Sequence, residues 1–315
     1  MGNYVIGIDL GGTKIHGALA DIEGNVISSQ IVPTEASEGS EAVLDRIIGV
    51  IEKVLETSNK TIEDIKCIGF GSPGPLDAKN GIIVDSSNLP FKNFNLIKPI
   101  KSKFNVPIYL DNDANVATIG EFMFGAGKGT ENMVYMTVST GIGGGAIING
   151  KLFRGNTSNA LEIGHTTILP EGPQCNCGNH GCLESLASGT AIGKRAIEAV
   201  ESGLDTNLSK YEKVSSYEVF VEAKNGDEVS RDILHRSLTY LGIGVANVIN
   251  TFDPELIVIG GGVSKGGQVV FDRINEVVKE RALKAMADSC RIVPAGLGSD
   301  AGVMGAVALA ILESK

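Results

Sequence analysis

A short glycine turn near the start of the sequence carries groups that could hold phosphate oxygens. It contains Asp9, Gly11, Gly12, Thr13 and Lys14. Glycines let backbone N–H groups approach an anion without obstruction by a Cβ atom, Thr13 can donate a hydroxyl hydrogen bond, and Lys14 adds a positive charge. Asp9 could hold Mg²⁺ through water, since Mg²⁺ keeps much of its hydration shell. The turn by itself is equally consistent with an ordinary glycine hairpin.

A second glycine turn, at Thr140 and Gly141, lies about half a chain further on. The glycine run there also fits a dinucleotide-binding fingerprint, with Glu162 about twenty residues beyond it. That fingerprint requires a helix to begin at the glycines, whereas the strand-like residues that follow, and the pair Asn149-Gly150, predict a hairpin. We therefore expect a second phosphate turn and reject NAD binding.

Polar groups follow the apolar strand predicted at 107–110. Asp111, Asn112 and Asp113 occupy its carboxyl end, where ligands gather in α/β proteins. A carboxylate at this place could accept the proton of a hydroxyl group that attacks a phosphoryl group. Either aspartate could instead cap the helix that begins here, and the two roles can coexist.

Three cysteines and a histidine have the spacing of a metal site. His165, Cys175, Cys177 and Cys182 form the pattern H-x9-C-x-C-x4-C. Three thiolates and one imidazole make a closed tetrahedral set, which predicts a structural Zn²⁺. The loop is rich in glycine and proline, so a metal would supply its order. His180 is a rival fourth ligand, but its closeness to Cys182 strains the geometry.

The predicted zinc loop spans 162–184 and has a carboxylate at each end. Glu162 lies three residues before His165, and Glu184 lies two residues after Cys182. A loop pinned by zinc would hold both carboxylates and the imidazole toward one point. Carboxylate and Asn side chains are good partners for sugar hydroxyls, because each can bridge two oxygens.

The elements that must position these groups follow a repeated plan. Strands are predicted around the first turn at 5–9, 15–20 and 26–32, and around the second turn at 134–138, 144–148 and 151–153. Both sets read strand, glycine turn, strand, short turn, strand. This weak internal repeat predicts a duplicated fold with one phosphate-binding hairpin from each half.

Helical periodicity fills much of the remaining sequence. Helices are predicted at 41–56, 113–124, 229–249, 269–283 and 300–312. A buried-type strand at 256–259 ends in the glycine run that contains Gly260 and Gly261. Residues 202–216 are polar and irregular, which predicts a surface loop.

Composition limits the classes of function. The chain has 315 residues, enough for two domains, and 43% of them are hydrophobic, as in ordinary globular proteins. A formal net charge of -10 disfavours an extended nucleic-acid surface. We find neither a signal peptide nor an apolar run long enough for a membrane helix, so we expect a cytoplasmic protein without a membrane partner.

These motifs together resemble the ROK family (repressors, open reading frames and kinases), within the actin- and hexokinase-like ATPase superfamily. The resemblance spans nearly the whole chain and includes an E-x-G-H motif at Glu162 and a C-x-C-G-x-x-G-C-x-E motif at Cys175, a highly specific combination. It implies an α/β, duplicated ribonuclease H-like fold, with two lobes around a cleft. We place the small lobe at 1–112 plus 300–315 and the large lobe at 113–299.

The resemblance also assigns roles to residues. It implies Asp113 as the catalytic base, and sugar binding by Gly74, Asn88, Asn112, Asp113, Glu162, His165 and Glu184. It implies that Gly12, Thr13, Thr140 and Gly141 face the phosphates and that Gly260 and Gly261 lie beside the adenosine. His165 would contact both sugar and zinc through its two ring nitrogens.

The pattern looks most like the bacterial glucokinases of this family. It implies ATP with Mg²⁺, a structural Zn²⁺, glucose as acceptor and a homodimer or homotetramer that serves glycolysis. Fructose, N-acetylmannosamine, N-acetylglucosamine and allose are the alternative acceptors, and a non-catalytic sugar sensor is a further alternative. The family's repressors carry a helix-turn-helix ahead of the first phosphate turn. Only eight residues precede Asp9, so we expect no such module.

Overall fold

The first half of the chain begins with a β-meander and continues into parallel strands. A computed structural model describes residues 2–86 and 88–314. Its strands are β1 (Tyr4–Leu10), β2 (Lys14–Asp21), β3 (Val26–Pro33), β4 (Ile65–Ser72), β5 (Leu76–Asp77), β6 (Ile82–Asp85), β7 (Lys92–Asn95), β8 (Ile108–Asn112), β9 (Met133–Val138), β10 (Ile142–Ile148), β11 (Lys151–Leu152), β12 (Leu256–Gly260) and β13 (Arg291–Pro294).

The helices occupy the segments between these strands and after them. They are α1 (Ser40–Ser58), α2 (Ile97–Phe104), α3 (Asp113–Phe124), α4 (Leu183–Ala187), α5 (Gly189–Glu201), α6 (Ser216–Lys224), α7 (Glu228–Phe252), α8 (Gln268–Arg281), α9 (Lys284–Ser289) and α10 (Ala301–Glu313). The five helices predicted from periodicity are confirmed to within a few residues. Within the described residues, no helix combines the length and the apolarity needed to cross a membrane.

Two five-stranded sheets share one plan. The first has the order β3-β2-β1-β4-β8, and the second has the order β11-β10-β9-β12-β13. In the first sheet β1 pairs antiparallel with β2 and parallel with β4, which pairs parallel with β8. In the second, β12 pairs parallel with both β9 and β13. The predicted duplication of a strand–turn–strand meander is therefore confirmed. A third sheet, of order β5-β6-β7, lies between β4 and β8 in sequence.

Helices cover both faces of the first sheet. On one face Ile8 and Leu10 of β1 pack with Ile47 and Ile51 of α1 in a fully buried cluster. On the other face lies α10, which also packs against α3. The two helices approach so closely that a Cβ on Gly120 would lie 2.9 Å from the Cα of Gly305. Larger side chains at this contact would displace α3, the helix that begins at Asp113.

Several elements were not predicted from the sequence, and two of them show why. The strand β4 was missed because Gly69 and Gly71 interrupt its apolar run, but Gly69 is where the backbone of α10 at Ala306 lies against the sheet. The prediction of a surface loop at 202–216 was incomplete. This segment contains a short 3-10 helix, Asn207–Lys210, and the side chain of Leu208 is fully buried.

The chain divides into two compact units. The first comprises 1–129, 145–160 and 296–315, and the second comprises 130–144 and 161–295. Helix α3 therefore belongs to the first unit. The predicted lobe boundary instead assigned α3, from Asp113 onward, to the large lobe. Compact units are defined by internal contacts and lobes by relative movement, so the division into 1–112 plus 300–315 and 113–299 stays a prediction.

Candidate active site

The carboxyl ends of three parallel strands meet at one edge of the first sheet. The register pairs Asp9 of β1 with Gly71 of β4, and Gly71 in turn with Asp111 of β8. Strand order therefore brings together the first glycine turn, the segment that leads to Gly74, and the polar residues 111–113. This edge of the first unit is where the sequence predicted the phosphate turn and the base.

The first glycine turn is held by Thr34, a fully buried residue just after β3. The amide of Gly11 donates to the carbonyl of Lys14 at 3.0 Å and closes the turn. Thr34 donates its amide to the carbonyl of Thr13 at 2.9 Å and its hydroxyl to the carbonyl of Gly11 at 2.6 Å. Because the carbonyls of Gly11, Thr13 and Lys14 are all occupied, the turn presents a fixed backbone. Thr34 escaped prediction, since nothing local in the sequence links it to residues 11–13.

Asp9 lies against the first turn of α10. A Cβ on Gly302 would collide with the Asp9 carboxylate, so only glycine permits this approach. Burial and the nearby charge of Asp113 raise the pKa of Asp9 to about 6, and the opposing effect of Lys14 is smaller. The N-terminus of α10 and Lys14 carry positive charge and lie beside this negative carboxylate. The site is therefore suited to phosphate oxygens together with a bound cation.

Asp113 is the first residue of α3, and its side chain reaches solvent. Its Oδ1 accepts a hydrogen bond from the amide of Ala114 at 2.8 Å. Desolvation by the surrounding protein raises the pKa of Asp113 and outweighs this hydrogen bond, which lowers it. An accessible carboxylate with a raised pKa has the properties of a general base.

Asp111 has a different environment, which the sequence could not separate from that of Asp113. It is buried, and its Oδ2 accepts from Nε of Arg154 at 2.7 Å. Its Oδ1 accepts from Nδ2 of Asn115 and from the amide of Asn112, each at 2.8 Å. Both oxygens of Asp111 are therefore engaged in holding the 111–115 segment, and Asp113 is the candidate for proton transfer.

Replacement of Arg154 by Met is expected to destabilise the protein by about 2 kcal/mol, because it leaves the buried Asp111 carboxylate without its cation. The expected loss is smaller than for a fully buried pair, since Arg154 is partly exposed and Asn115 still bonds Asp111. Denaturant unfolding measures the change. The double variant with Asp111→Asn should recover part of the loss, and a single variant that unfolds at the wild-type midpoint would contradict this assignment.

The predicted sugar-binding residues of the first unit lie around the same edge. Asn112 caps α3, since its side-chain oxygen accepts from the amide of Ala114 at 2.9 Å. A Cβ on Gly74 would lie 3.3 Å from Nδ2 of Asn112, and a Cβ on Gly12 would lie 2.7 Å from both Cβ and the carbonyl oxygen of Asn88. The structure thus brings Gly74 to Asn112, and Asn88 to the first phosphate turn.

A backbone hydrogen bond also closes the second glycine turn. The amide of Ser139 donates to the carbonyl of Gly141 at 2.9 Å, and the amide of Gly189 donates to the carbonyl of Ser139 at 2.7 Å. Gly189 begins α5, whose N-terminus therefore meets the turn. The amide of Ala191 in the same first turn is also occupied, by the hydroxyl of Ser188 at 3.1 Å, so α5 favours phosphate groups here through the positive end of its dipole.

A cavity of about 690 Å³ opens beside this turn in the second unit, and its lining includes Ser139, Thr140, Thr190, Lys194 and Gly262. Of the glycine run after β12, only Gly262 lines it. A Cβ on Gly260 would meet the hydroxyl of Tyr135, and one on Gly261 would meet the carbonyl of Val138. The sequence reasoning missed Lys194, whose only local signal is its position in the second turn of α5.

The predicted metal ligands converge in the second unit. The ligand atoms of His165, Cys175, Cys177 and Cys182 all lie within 4.8 Å of one another. Nδ1 of His165 lies 3.6 Å from Sγ of Cys175, and Sγ of Cys177 lies 3.7 Å from Sγ of Cys182. Tetrahedral zinc, with bonds of about 2.3 Å to sulfur and about 2.0 Å to nitrogen, separates its ligand atoms by roughly 3.5–3.8 Å. The donor set and the spacing both fit zinc.

The rival ligand turns away from this group. Nδ1 of His180 lies 3.4 Å from the carbonyl oxygen of Gly172, and His180 does not join the cluster formed by the described residues. Nε2 of His165, opposite its cysteine-facing nitrogen, lies 3.9 Å from Oε2 of Glu162. The imidazole therefore presents one nitrogen to the thiols and the other to a predicted sugar-binding carboxylate.

Glu184 contacts the second glycine turn. Its Oε2 accepts from the amide of Ile142 at 2.9 Å, and a Cβ on Gly141 would collide with the same oxygen. Gly164 lies on the other side of this turn, where a Cβ would collide with the carbonyl of Ile142. Both ends of the zinc loop therefore contact the start of β10, which the sequence did not predict.

Two sheets of equal strand order, each with a glycine turn in its first hairpin, define the actin- and hexokinase-like ATPase fold, and the predicted fold class is confirmed. The chain belongs to the ROK family, which it matches over residues 5–313.

Relatives and solved structures cover nearly the whole chain. A glucokinase from Halalkalibacterium halodurans is 37% identical over 307 residues, which are 96% of this chain and 93% of the relative. The crystal structure of a ROK hexokinase from Thermus thermophilus matches with a TM-score of 0.87 at 35% identity and covers 98% of each chain. A ROK family glucokinase from Streptomyces griseus, in complex with glucose and AMPPNP, matches with a TM-score of 0.79 at 31% identity, over 97% of this chain and 98% of that one.

Repressors of the family are also similar to this chain. A xylose repressor from Caldicellulosiruptor bescii is 34% identical over 312 residues, which are 98% of this chain and 78% of the repressor. Family membership therefore leaves the choice between catalysis and regulation to the residues of the site.

Proposed function

We propose that this protein is an ATP-dependent glucokinase that transfers the terminal phosphoryl group of ATP to the 6-hydroxyl of glucose, giving glucose 6-phosphate and ADP. The observation that carries the proposal is the edge of the first sheet, where an accessible Asp113 with a raised pKa lies near Asp9 and its phosphate turn. The class, an ATP-dependent sugar kinase, rests also on the glucokinases and hexokinases that the chain resembles.

Asp113 is proposed to act as general base. Its carboxylate accepts the proton of the attacking hydroxyl, the oxygen of that hydroxyl forms a bond to the terminal phosphorus, and the bond from that phosphorus to the oxygen of the leaving ADP breaks. Asp111 is excluded from this role by its bonds to Arg154 and Asn115. Asn112, which caps α3 beside Asp113, is proposed to bind a sugar hydroxyl.

The two glycine turns are proposed to hold the phosphates. Thr13 and Lys14 of the first turn would contribute a hydroxyl and a charge, and Thr140 of the second turn lines the 690 Å³ cavity at the N-terminus of α5. We assign this cavity to the nucleotide, with Gly260 and Gly261 supporting its wall. Mg²⁺ bound with ATP, near Asp9, would supply positive charge to the phosphate oxygens.

The zinc loop is proposed to bind the sugar. Zn²⁺ held by His165, Cys175, Cys177 and Cys182 would order the loop. It would fix the imidazole so that Nε2 faces Glu162 and a sugar hydroxyl. The proposed sugar ligands of the first unit are Gly74, Asn88, Asn112 and Asp113, and those of the second unit are Glu162, His165 and Glu184.

A coupled ADP-release assay against a panel of hexoses tests the proposal. We expect kcat/KM for glucose to exceed by about tenfold or more the values for fructose, N-acetylmannosamine, N-acetylglucosamine and allose, because a site built to bond a given hydroxyl leaves polar groups unpaired when a sugar lacks, moves or replaces that hydroxyl. Polyphosphate in place of ATP tests the donor.

Two outcomes would change this conclusion. A higher kcat/KM for another sugar would reassign the acceptor within the kinases. Sugar binding without ADP release from any member of the panel would instead favour a non-catalytic sensor, as the similarity to repressors allows. Size measurements of the purified protein with and without glucose would test the predicted homodimer or homotetramer.

A further inference from the structure

The zinc loop and the second glycine turn share one hydrogen bond, which runs through Glu184. The amide of Ile142, directly after the turn residue Gly141, donates to Oε2 of Glu184 at 2.9 Å. Glu184 lies two residues beyond the zinc ligand Cys182, whose side chain is fully buried. A single residue, Glu184, therefore connects the loop that the metal would order to the turn that is proposed to hold phosphate.

The contact is built from both ends of the loop. Gly164 immediately precedes His165, and its missing Cβ makes room for the carbonyl of Ile142. Ile142 is therefore bracketed, with its carbonyl against the segment before His165 and its amide against the segment after Cys182. Since the metal would tie His165 to Cys182, it would also fix the two walls that hold Ile142.

We propose that Glu184 is a positioning residue that couples the metal site to nucleotide binding, so that loss of zinc loosens the second glycine turn and weakens binding of an adenine nucleotide. Only the part of this inference that concerns nucleotide binding rests on the proposed function. Oε2 holds the turn, which leaves Oε1 for the sugar. Loss of the hydrogen bond that positions the turn is expected to weaken nucleotide binding by about tenfold.

Two substitutions separate the acceptor from the charge. Glu184→Gln keeps a side-chain oxygen of the same reach, so the turn should stay ordered. Glu184→Asp keeps the charge but is one methylene shorter, so its oxygen should no longer reach the Ile142 amide. Glu162→Gln is the matched control, since it changes a carboxylate of the same loop that faces His165 rather than Ile142.

Amide hydrogen exchange over residues 139–146 is the readout that needs no ligand. We expect faster exchange, by about tenfold or more, at Ile142 in Glu184→Asp and in zinc-stripped wild-type protein, and near wild-type exchange in Glu184→Gln and Glu162→Gln. Calorimetric titration with ADP should give a dissociation constant about tenfold higher in the same two samples. A general loss of order would also accelerate exchange in α10, which is expected to stay protected.

The outcomes distinguish the two proposals. Unchanged exchange at Ile142 after both zinc removal and Glu184→Asp would overturn the coupling, whatever the affinity for ADP. Equal acceleration in Glu184→Gln and Glu184→Asp would also overturn it, because a side-chain oxygen of the right reach would then not be enough to hold the turn. Faster exchange at Ile142 after zinc removal, in a wild-type protein that binds no ADP, would support the link between the metal site and the turn. The same result would reject the kinase assignment.

Discussion

Replacement of Asp113 by Asn is expected to lower turnover by roughly two to four orders of magnitude, the usual contribution of a positioned general base. The variant should fold and bind glucose nearly as well as the wild type. Asn keeps the Oδ1 that accepts from the amide of Ala114, so the start of α3 is preserved. Turnover from the ADP-release assay and glucose affinity from calorimetry, measured on the same preparation, check both parts.

Asp111→Asn is the control for this variant, because Asp111 is the neighbouring carboxylate on the same strand end. Its bond to Arg154 predicts that it lowers stability more than turnover. Two results would contradict the assignment of Asp113 as base. One is near-normal turnover in Asp113→Asn, and the other is a larger loss of turnover in Asp111→Asn at equal occupancy by sugar.

The pH dependence follows from the raised pKa of Asp113. A base must be deprotonated, so kcat/KM should fall with acid at a higher pH than for an ordinary aspartate near 3.8. An acid whose folded pKa is raised contributes stability only at low pH, and that contribution is lost as pH rises through the folded pKa. Asp113→Asn should therefore be at least as stable as wild type at neutral pH, and its advantage should shrink as the pH falls through the raised pKa of Asp113 and be lost below about 4.

The same substitution should be visible at Asp9. The charge of Asp113 is one of the causes that raise the pKa of Asp9 to about 6, and burial is the larger one. Removal of that charge should lower the pKa of Asp9 only in part, which a carboxyl NMR titration would measure. An unchanged titration of Asp9 would mean that the two carboxylates do not sense each other.

Local patterns were sufficient for much of the fold. The meander at each glycine turn could be predicted because alternation, glycine corners and Asn149-Gly150 all act within a few residues. The strand β4 could not, because its glycines lower β-propensity and are explained only by packing against distant helices, Gly69 against α10 and Gly71 against Val116 of α3. Tertiary packing therefore requires glycines in β4, although their low local β-propensity argues against a strand.

In the candidate site, too, residues defined by local spacing could be predicted and residues defined by long-range contacts could not. The four metal ligands were predictable because they fall within a short segment with restrictive spacing. The distinction between Asp111 and Asp113 was not, since it depends on Arg154, 43 residues further along the chain. Thr34 behind the first turn and Glu184 on the second were also invisible as partners of those turns, because each is joined to its turn through a long-range hydrogen bond.

Loss of the metal site is expected to remove most activity without a change at any proposed catalytic group. Cys177→Ser should lower the zinc content from about one per chain to near zero, because a hydroxyl replaces the thiolate in a set of four. Cys177 is the exposed ligand of the set, so serine there adds no strain to the buried part of the loop. Inductively coupled plasma mass spectrometry and the ADP-release assay measure the two effects.

Cys290→Ser is the matched control, since Cys290 is a free cysteine of the same unit outside the metal group. It should retain both zinc and activity. The physical reason for the difference is that a structural zinc contributes about 10 kcal/mol or more to the order of its segment, while the glycine- and proline-rich loop has little apolar surface to replace it. Without that order, Glu162, His165 and Glu184 would no longer be held for the sugar. Wild-type protein that is fully active while metal analysis finds no zinc would end the proposal, and an active, zinc-free Cys177→Ser variant would do the same.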